Sequence, residues 1–168
     1  MKTEEPRVTH SLPKDEALLA AIGQITLSYA WLDNALRMTV MDLASVTKEE
    51  ALDGAARQGS RELRERVRRL GKMRLGEGPA LVKLDALLGR AERATERRNH
   101  LLHSVGGRDL DRDGNFLREP DHSFRPTPAA KELENLSTEI LDVVYSVINA
   151  RLDGFLKAAL QKNTLREA

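Results

Sequence analysis

The sequence predicts an all-α fold, an antiparallel helical bundle with a short β-hairpin inserted before its last helix. Composition is the first reason, because 40% of the 168 residues are apolar and only 4% are aromatic, and strong helix formers such as Leu, Ala, Arg and Glu are abundant. Apolar residues also recur at steps of three and four through long segments, the period of a helix with one buried face. Since the connections between these segments are short, an antiparallel bundle is the expected packing.

Domain boundaries follow from polarity and from the placement of proline. Residues 1–13 are polar and contain Pro6 and Pro13, so they are predicted to form a flexible N-terminal arm. Residues 14–162 are predicted to form one bundle domain, a length that suffices to bury a core. Residues 163–168 are predicted to be a C-terminal tail.

Four helices are predicted before the hairpin. The first extends over residues 14–46, where apolar positions alternate at steps of three and four. A Thr-x-x-Glu capping box predicts a short helix over residues 47–56. The next is expected over residues 60–74 with Ser60 as its N-cap. A Gly-Pro turn opens the fourth, over residues 79–103.

The C-terminal third begins with a segment of different composition. Residues 105–126 are rich in Gly and Pro and contain Asp113-Gly114 between apolar residues, which is a signal for a short β-hairpin. One long final helix is predicted to follow, from Thr127 to about Gln161, because its apolar stripe continues at helical spacing.

Positive charge is concentrated between Arg57 and Arg74, although the formal net charge of the chain is only +1. The stretch is rich in arginine, whose forked guanidinium matches phosphate oxygens. It is therefore a candidate RNA-binding surface, and a solvated helix face is the alternative. The candidate RNA-binding residues are Arg61, Arg64, Arg66, Arg68 and Arg69.

Two charged residues interrupt the apolar stripes of the long helices. Arg98 falls within the stripe of the helix over residues 79–103, and Asp33 falls within the stripe of the first helix. A buried guanidinium is costly unless it is paired, so these two side chains are predicted to form an ion pair in or near the core. An ion pair that only fixes the register of the helices is the alternative interpretation.

The segment Arg98-Asn99-His100-Leu101-Leu102-His103 resembles the R-x4–6-H signature of HEPN domains, including the polar residue after the arginine. This family consists of helical bundles that are commonly homodimers, and many members are metal-independent ribonucleases of toxin–antitoxin and defence systems. The resemblance therefore implies RNA as the substrate and a homodimer as the active form. The chain has no nucleotidyltransferase-like segment, so a cognate antitoxin is neither indicated nor excluded.

The resemblance also implies roles for individual residues. Arg98 would hold the phosphate, Asn99 would orient the phosphate or His103, and His103 would act as the base or the acid, with Asp33 and Glu96 in support. Two protomers facing one cleft would supply both proton-transfer groups, and the product would be a 2′,3′-cyclic phosphate. The alternative is a non-catalytic HEPN-like module that dimerises and binds RNA, a nucleotide or a protein.

Several classes of function are not expected. The chain has no cysteine, which excludes disulfides and thiolate metal sites. It has no apolar run of about 18 residues and no signal-peptide pattern at its N-terminus, so a cytoplasmic protein without a membrane partner is predicted. Asp109, Asp111 and Asp113 imitate the start of a calcium loop, but its twelfth position is Pro120 instead of glutamate. No metal site and no cofactor are therefore predicted.

Overall fold

Five α-helices and four short β-strands make up the described part of the chain, as seen in a computed structural model. The helical bundle predicted from the sequence is confirmed. The backbone is described for residues 8–9, 15–45, 58–103, 105–109, 115–118 and 124–167, and side chains for 15–45, 58–101 and 126–162. The predicted helix over residues 47–56 lies outside the described residues.

Helix α1 spans Glu16–Ala44 and agrees with the prediction to within two residues at each end. It begins where the Asp15 carboxylate accepts hydrogen bonds from the backbone N–H groups of Ala17 and Leu18, at 2.9 and 3.2 Å. It ends at Ser45, whose backbone is left-handed with φ 55°. An aspartate N-cap of this kind satisfies donors that the first turn leaves unpaired.

Helices α2 and α3 form an antiparallel pair. Helix α2 spans Ser60–Leu75 and helix α3 spans Pro79–His103, in agreement with the predicted ranges. The N-cap of α2 is Gly59 and not Ser60, so that detail of the prediction was wrong. The reason is that Ser60 already lies inside the helix, where its hydroxyl accepts a hydrogen bond from Arg64 Nη1 at 2.9 Å.

The C-terminal region forms two helices where the sequence predicted one. Helix α4 spans Ala130–Leu152 and helix α5 spans Phe155–Glu167. The chain turns tightly at Gly154, where an added Cβ atom would lie 2.8 Å from the carbonyl oxygen of Asn149. Only glycine allows this close approach. The turn lets Leu156 reach the core, where it is buried.

The strands form a small antiparallel sheet in the order β1-β2-β3-β4. Strands β2, β3 and β4 span Val105–Asp109, Asn115–Arg118 and Phe124–Pro126, within residues 105–126. Strand β1, Val8–Thr9, pairs with β2. This pair of residues belongs to the predicted flexible arm, so part of the arm is an edge strand, which the polar composition of the arm did not indicate.

Helices α1 and α4 run in the same direction, so the bundle is only partly antiparallel and that detail of the prediction was wrong. The hydroxyls of Ser28 and Ser137 lie 3.1 Å apart, and Arg151 Nε donates to Asp42 at 2.7 Å; both pairs are separated by 109 positions. Because the sequence separation is the same at both contacts, the two helices run in the same direction. Helix α3 is antiparallel to α4, because Arg90 bonds Ser146 and Arg97 bonds Glu139.

Helix α2 is aligned along the second half of α1. The start of α2 lies near the middle of α1, where the Ser60 hydroxyl is close to Asp33, and the end of α2 lies near the end of α1, where Arg74 Nη2 donates to Ser45 at 3.1 Å. Helix α2 therefore also runs in the same direction as α1.

The hydrophobic core lies between the inner faces of all five helices. Most of the apolar positions predicted to form the stripe of α1 lie on its inner face. Its buried members are Leu18, Ile25, Leu32, Leu36, Val40 and Leu43. Within the described residues, no helix has both the length and the hydropathy needed to cross a bilayer.

Candidate functional site

Arg98 lies near the end of α3 and is half-buried. Its guanidinium carbon stands 4.5 Å from the centroid of the Tyr29 ring, a distance at which the ring attracts the cation. Its Nη1 donates to the Asn99 side-chain oxygen at 3.0 Å. Its Nε is buried and has no hydrogen-bond partner among the described residues. The guanidinium is thus held in place while one donor stays unused.

The predicted ion pair between Arg98 and Asp33 is not present, so this prediction was wrong. Among the described residues, the contacts of Arg98 are those to Tyr29 and Asn99, and one Asp33 carboxylate oxygen is buried without a partner. Tyr29 lies one helical turn before Asp33 on the same side of α1. Because its ring packs against the guanidinium, the tyrosine and not the aspartate meets Arg98.

Asp33 nevertheless lies in the field of several arginines. Burial raises the pKa of the Asp33 carboxyl above its ordinary value; Arg37, a hydrogen bond from Ser60, Arg98 and Arg64 oppose the rise. Arg37 also has a buried Nε atom that lacks a partner among the described residues. We call Arg37, Arg64 and Arg98 the arginine cluster; its three cations lie near enough to the half-buried Asp33 carboxyl to lower its pKa.

The sequence predicts Arg64 to be an RNA-binding residue at the surface. This prediction was wrong, because Arg64 is a buried, structural member of the arginine cluster. Only 5% of the residue is exposed. Its Nη1 donates to the hydroxyls of Ser60 and Thr95, at 2.9 and 3.1 Å, and its Nη2 lies 3.9 Å from Glu92. Arg64 projects inward because it lies on the same face of α2 as the core residues Leu63 and Val67.

The other candidate RNA-binding residues of α2 lie closer to the surface. Two form surface ion pairs, Arg61 with Glu65 at 3.0 Å and Arg68 with Asp85 at 3.3 Å. Arg66 is half-buried and donates to Gln58 at 3.3 Å, and Arg69 is exposed. These pairings reduce the net positive charge that α2 presents to solvent. The solvated-face alternative therefore fits Arg61 and Arg68 better than an RNA-binding role does.

The remaining candidates lie around the end of α3. Asn99 is half-buried and holds Arg98, whereas Glu96 is exposed. The backbone of His103 closes α3, and its side chain lies outside the described residues. On the far side of α3, His100 borders a cavity of about 180 Å³ between α3 and α4. The side chains of Arg98 and Asn99 are therefore in contact, and the exposed Glu96 side chain does not take part in this contact.

Sequence reasoning missed two residues of the site, Tyr29 and Arg37. Neither residue is a candidate from the sequence alone. Both are one helical turn from Asp33, before and after it, so the three side chains form a strip along α1. That spacing is visible in the sequence and was the available signal.

No family model, curated protein or solved structure matches this chain. In the described part of the chain, no three residues of the metal-binding types converge on one point. The arginine cluster is therefore the candidate functional site. Its cations and unused guanidinium donors suit an anion, and phosphate oxygens are the acceptors that arginine matches best.

Proposed function

We propose that this protein is a metal-independent endoribonuclease of HEPN type, active as a homodimer, in which Arg98 binds the scissile phosphate. The observation that supports the proposal is the state of Arg98, stacked on Tyr29 with a buried Nε that has no partner among the described residues. A guanidinium that is already positioned and partly desolvated loses little conformational entropy when it binds an anion.

The proposed reaction is an internal transfer at phosphorus. The 2′-oxygen of the ribose attacks the adjacent phosphate, the bond to the 5′-oxygen breaks, and the products are a 2′,3′-cyclic phosphate and a 5′-hydroxyl. One group takes the proton from the 2′-hydroxyl and another protonates the leaving 5′-oxygen. We assign these roles to the two His103 side chains of a dimer, while Arg98 stabilises the negative charge that develops at phosphorus.

Neighbouring residues support Arg98 in this assignment. Asn99 accepts a hydrogen bond from Nη1 and so fixes the plane of the guanidinium. Arg37 adds positive charge close to Asp33, which favours the approach of an anion. The exposed Arg69 on α2 is the member of the basic stretch most available for contacts with more distant phosphates.

The test is incubation of the purified protein with mixed RNA in the presence of a chelator, followed by analysis of the product ends. Cleavage to 2′,3′-cyclic phosphates is expected. His103→Ala should abolish cleavage and leave RNA affinity nearly unchanged, because the imidazole moves protons and does not hold the substrate. Arg98→Ala should abolish cleavage as well. Arg93→Ala, an exposed arginine on the same helix, is the matched control and should cleave normally.

A second candidate function is a non-catalytic HEPN-like module that binds RNA, a nucleotide or a protein. The same stacking of Arg98 on Tyr29 favours it in one respect, because a guanidinium held by a ring and by Asn99 can have a purely structural role. Wild-type protein that binds RNA but never cuts it, with the dimer intact, would select this function. Cleavage that survives His103→Ala would instead move the catalytic group to another residue.

A further inference from the structure

The cavity between α3 and α4 lies where the last turns of α3 face the first turns of α4. The two helices are antiparallel and are joined along their length by Arg90 with Ser146 and by Arg97 with Glu139, so the cavity opens at one end of this pair. Its volume is about 180 Å³. An engineered apolar cavity of about 150 Å³ holds a benzene ring. The cavity is therefore large enough for one heteroaromatic ring system.

The floor of the cavity is apolar and fixed by the core. Leu133 and Leu136 line it and are only 2% and 4% exposed. The half-buried Leu101 of α3 and Pro128, just before α4, complete the apolar lining among the described residues. Sites for small ligands are largely preformed and mostly apolar, with a few polar groups that set orientation. This floor suits the flat face of a ring.

Three polar side chains border the same cavity, Arg97 and His100 on α3 and Glu132 on α4. Arg97 Nη1 donates to Glu139, which holds the guanidinium at the rim and uses one of its five N–H donors. Glu132 Oε2 accepts a hydrogen bond from the Ala129 backbone N–H at 3.0 Å. That bond holds the carboxylate beside the cavity, and a carboxylate has about four acceptor positions.

The charges at the rim argue against a simple anion as the ligand. The positive charge of Arg97 is balanced by Glu139, and Glu132 adds a negative charge. The cavity thus offers donors on its α3 side and acceptors on its α4 side without an excess of positive charge. A neutral ring that carries both donors and acceptors on its edges is the complementary ligand, because each rim group then finds a partner.

We propose that this cavity binds a guanine base of single-stranded RNA. Guanine presents the N1–H and N2–H donors side by side, a pair that the Glu132 carboxylate can accept together. Its O6 and N7 acceptors are the pair that arginine matches best, and they fall to Arg97. The purine ring lies on the leucine floor. Uracil and cytosine lack the purine N7, and adenine has no O6 acceptor, so guanine alone satisfies both sides of the rim.

The position of the cavity relates it to the proposed function. His100 and Leu101 border the cavity on the last turn of α3, and His103 closes that same turn. Sequence-specific recognition of RNA uses unstacked bases that are turned out of a single strand, and such a base would lie close to the group that moves protons. The inference rests on the proposed function and names its substrate as RNA with a guanine next to the cleaved bond.

Free nucleosides test the cavity without cleavage and without phosphate, so the arginine cluster plays no part in the result. Guanosine is titrated into the ¹⁵N-labelled wild type, and the amide signals of Leu101 and Leu133 should shift until they saturate. Adenosine, cytidine and uridine should bind about tenfold more weakly or less. Inosine, which is guanosine without the N2 amino group, should also bind about tenfold more weakly, because Glu132 then accepts one donor instead of two.

Two variants locate the binding to this cavity. Glu132→Gln keeps an oxygen for the Ala129 N–H but removes the charge and one acceptor; it should weaken guanosine binding about 5- to 100-fold and bring inosine and guanosine closer in affinity. Leu101→Trp should fill the cavity and abolish binding at unchanged helix content. Glu134→Gln is the matched control, because Glu134 is exposed and pairs with Lys131 on the same helix; it should bind guanosine normally.

Several results would overturn the proposal: no binding of guanosine at millimolar concentration, equal binding of all four nucleosides, or unchanged binding in both Glu132→Gln and Leu101→Trp. The outcomes also separate this inference from the proposed function. Guanosine binding by a protein that never cuts RNA would retain the guanine site and refute the ribonuclease. RNA cleavage at all four bases, without guanosine binding, would retain the ribonuclease and refute the guanine site.

Discussion

Replacing Arg64 with methionine is expected to destabilise the fold by about 2–3 kcal/mol. The buried guanidinium donates two hydrogen bonds, to Ser60 and Thr95, and hydrogen bonds of charged groups contribute about 1.5–3 kcal/mol each. Part of that sum is regained, because methionine has no charge to desolvate. Thr95 also keeps its own bond to the carbonyl oxygen of Ala91, at 2.7 Å, so the main remaining loss is at Ser60.

Urea unfolding followed by circular dichroism measures this loss. For a domain of this length, 2–3 kcal/mol corresponds to a fall in Tm of about 4–12 °C. Arg64→Ala should cost roughly 2 kcal/mol more, because it also removes the packed methylene groups of the side chain. Arg69→Met is the control on the same helix; Arg69 is exposed, so the change should stay within about 0.5 kcal/mol.

The reasoning would be refuted if Arg64→Met and Arg69→Met had equal stabilities. It would also be refuted if Arg64→Met lowered RNA affinity without affecting unfolding, because the residue would then be a surface contact. A double-mutant cycle with Thr95→Val isolates the bond between Arg64 and Thr95. Coupling near zero would mean that this bond contributes nothing to stability.

Three further predictions concern other parts of the bundle. Asp33 binds its proton more tightly in the folded state. The unfolding free energy of the wild type, relative to that of Asp33→Asn, should therefore fall as the pH rises above about 4. Urea titrations at several pH values measure both free energies, and a wild-type advantage that grew with pH would contradict the prediction. Gly154→Ala should cost about 1–3 kcal/mol, because its Cβ atom would lie 2.8 Å from the Asn149 carbonyl oxygen, and an unchanged Tm would count against the close approach. Arg151→Leu should lower stability by about 2 kcal/mol, because it removes the 2.7 Å bond to Asp42; a Tm equal to that of the wild type would show that the pair is dispensable.

Local patterns predicted the helices well, and long-range relations less well. Helical periodicity placed α1 and α3 because each of them buries a continuous stripe of its own residues. It failed at Gly154, because the stripe continues in register across the turn and only the close approach to Asn149 shows the break. The direction of α1 relative to α4 is a relation between residues 109 positions apart, and no short-range pattern carries that information.

The same distinction applies to the candidate site. The position of Arg98 on an apolar stripe marked it as unusual, and the structure shows it half-buried with an unused donor. Its partner was predicted from charge alone, which favoured Asp33 over Tyr29. Arg64 was assigned by charge density to the surface, although its spacing from Leu63 and Val67 places it on the buried face of α2. For both arginines, the face of the helix was a better guide than the sign of the charge.

The parallel pairing of α1 and α4 determines the order in which the chain can fold during synthesis. The hydrogen bonds that join these helices span 109 positions, so at roughly 5–20 residues per second the ribosome needs about 5–20 s to complete the partner of a finished α1. The antiparallel α2 and α3 can associate during that interval through local contacts, which form quickly. The side of α1 that α4 covers therefore stays exposed until α4 is complete, although α2 can cover another side of α1 earlier.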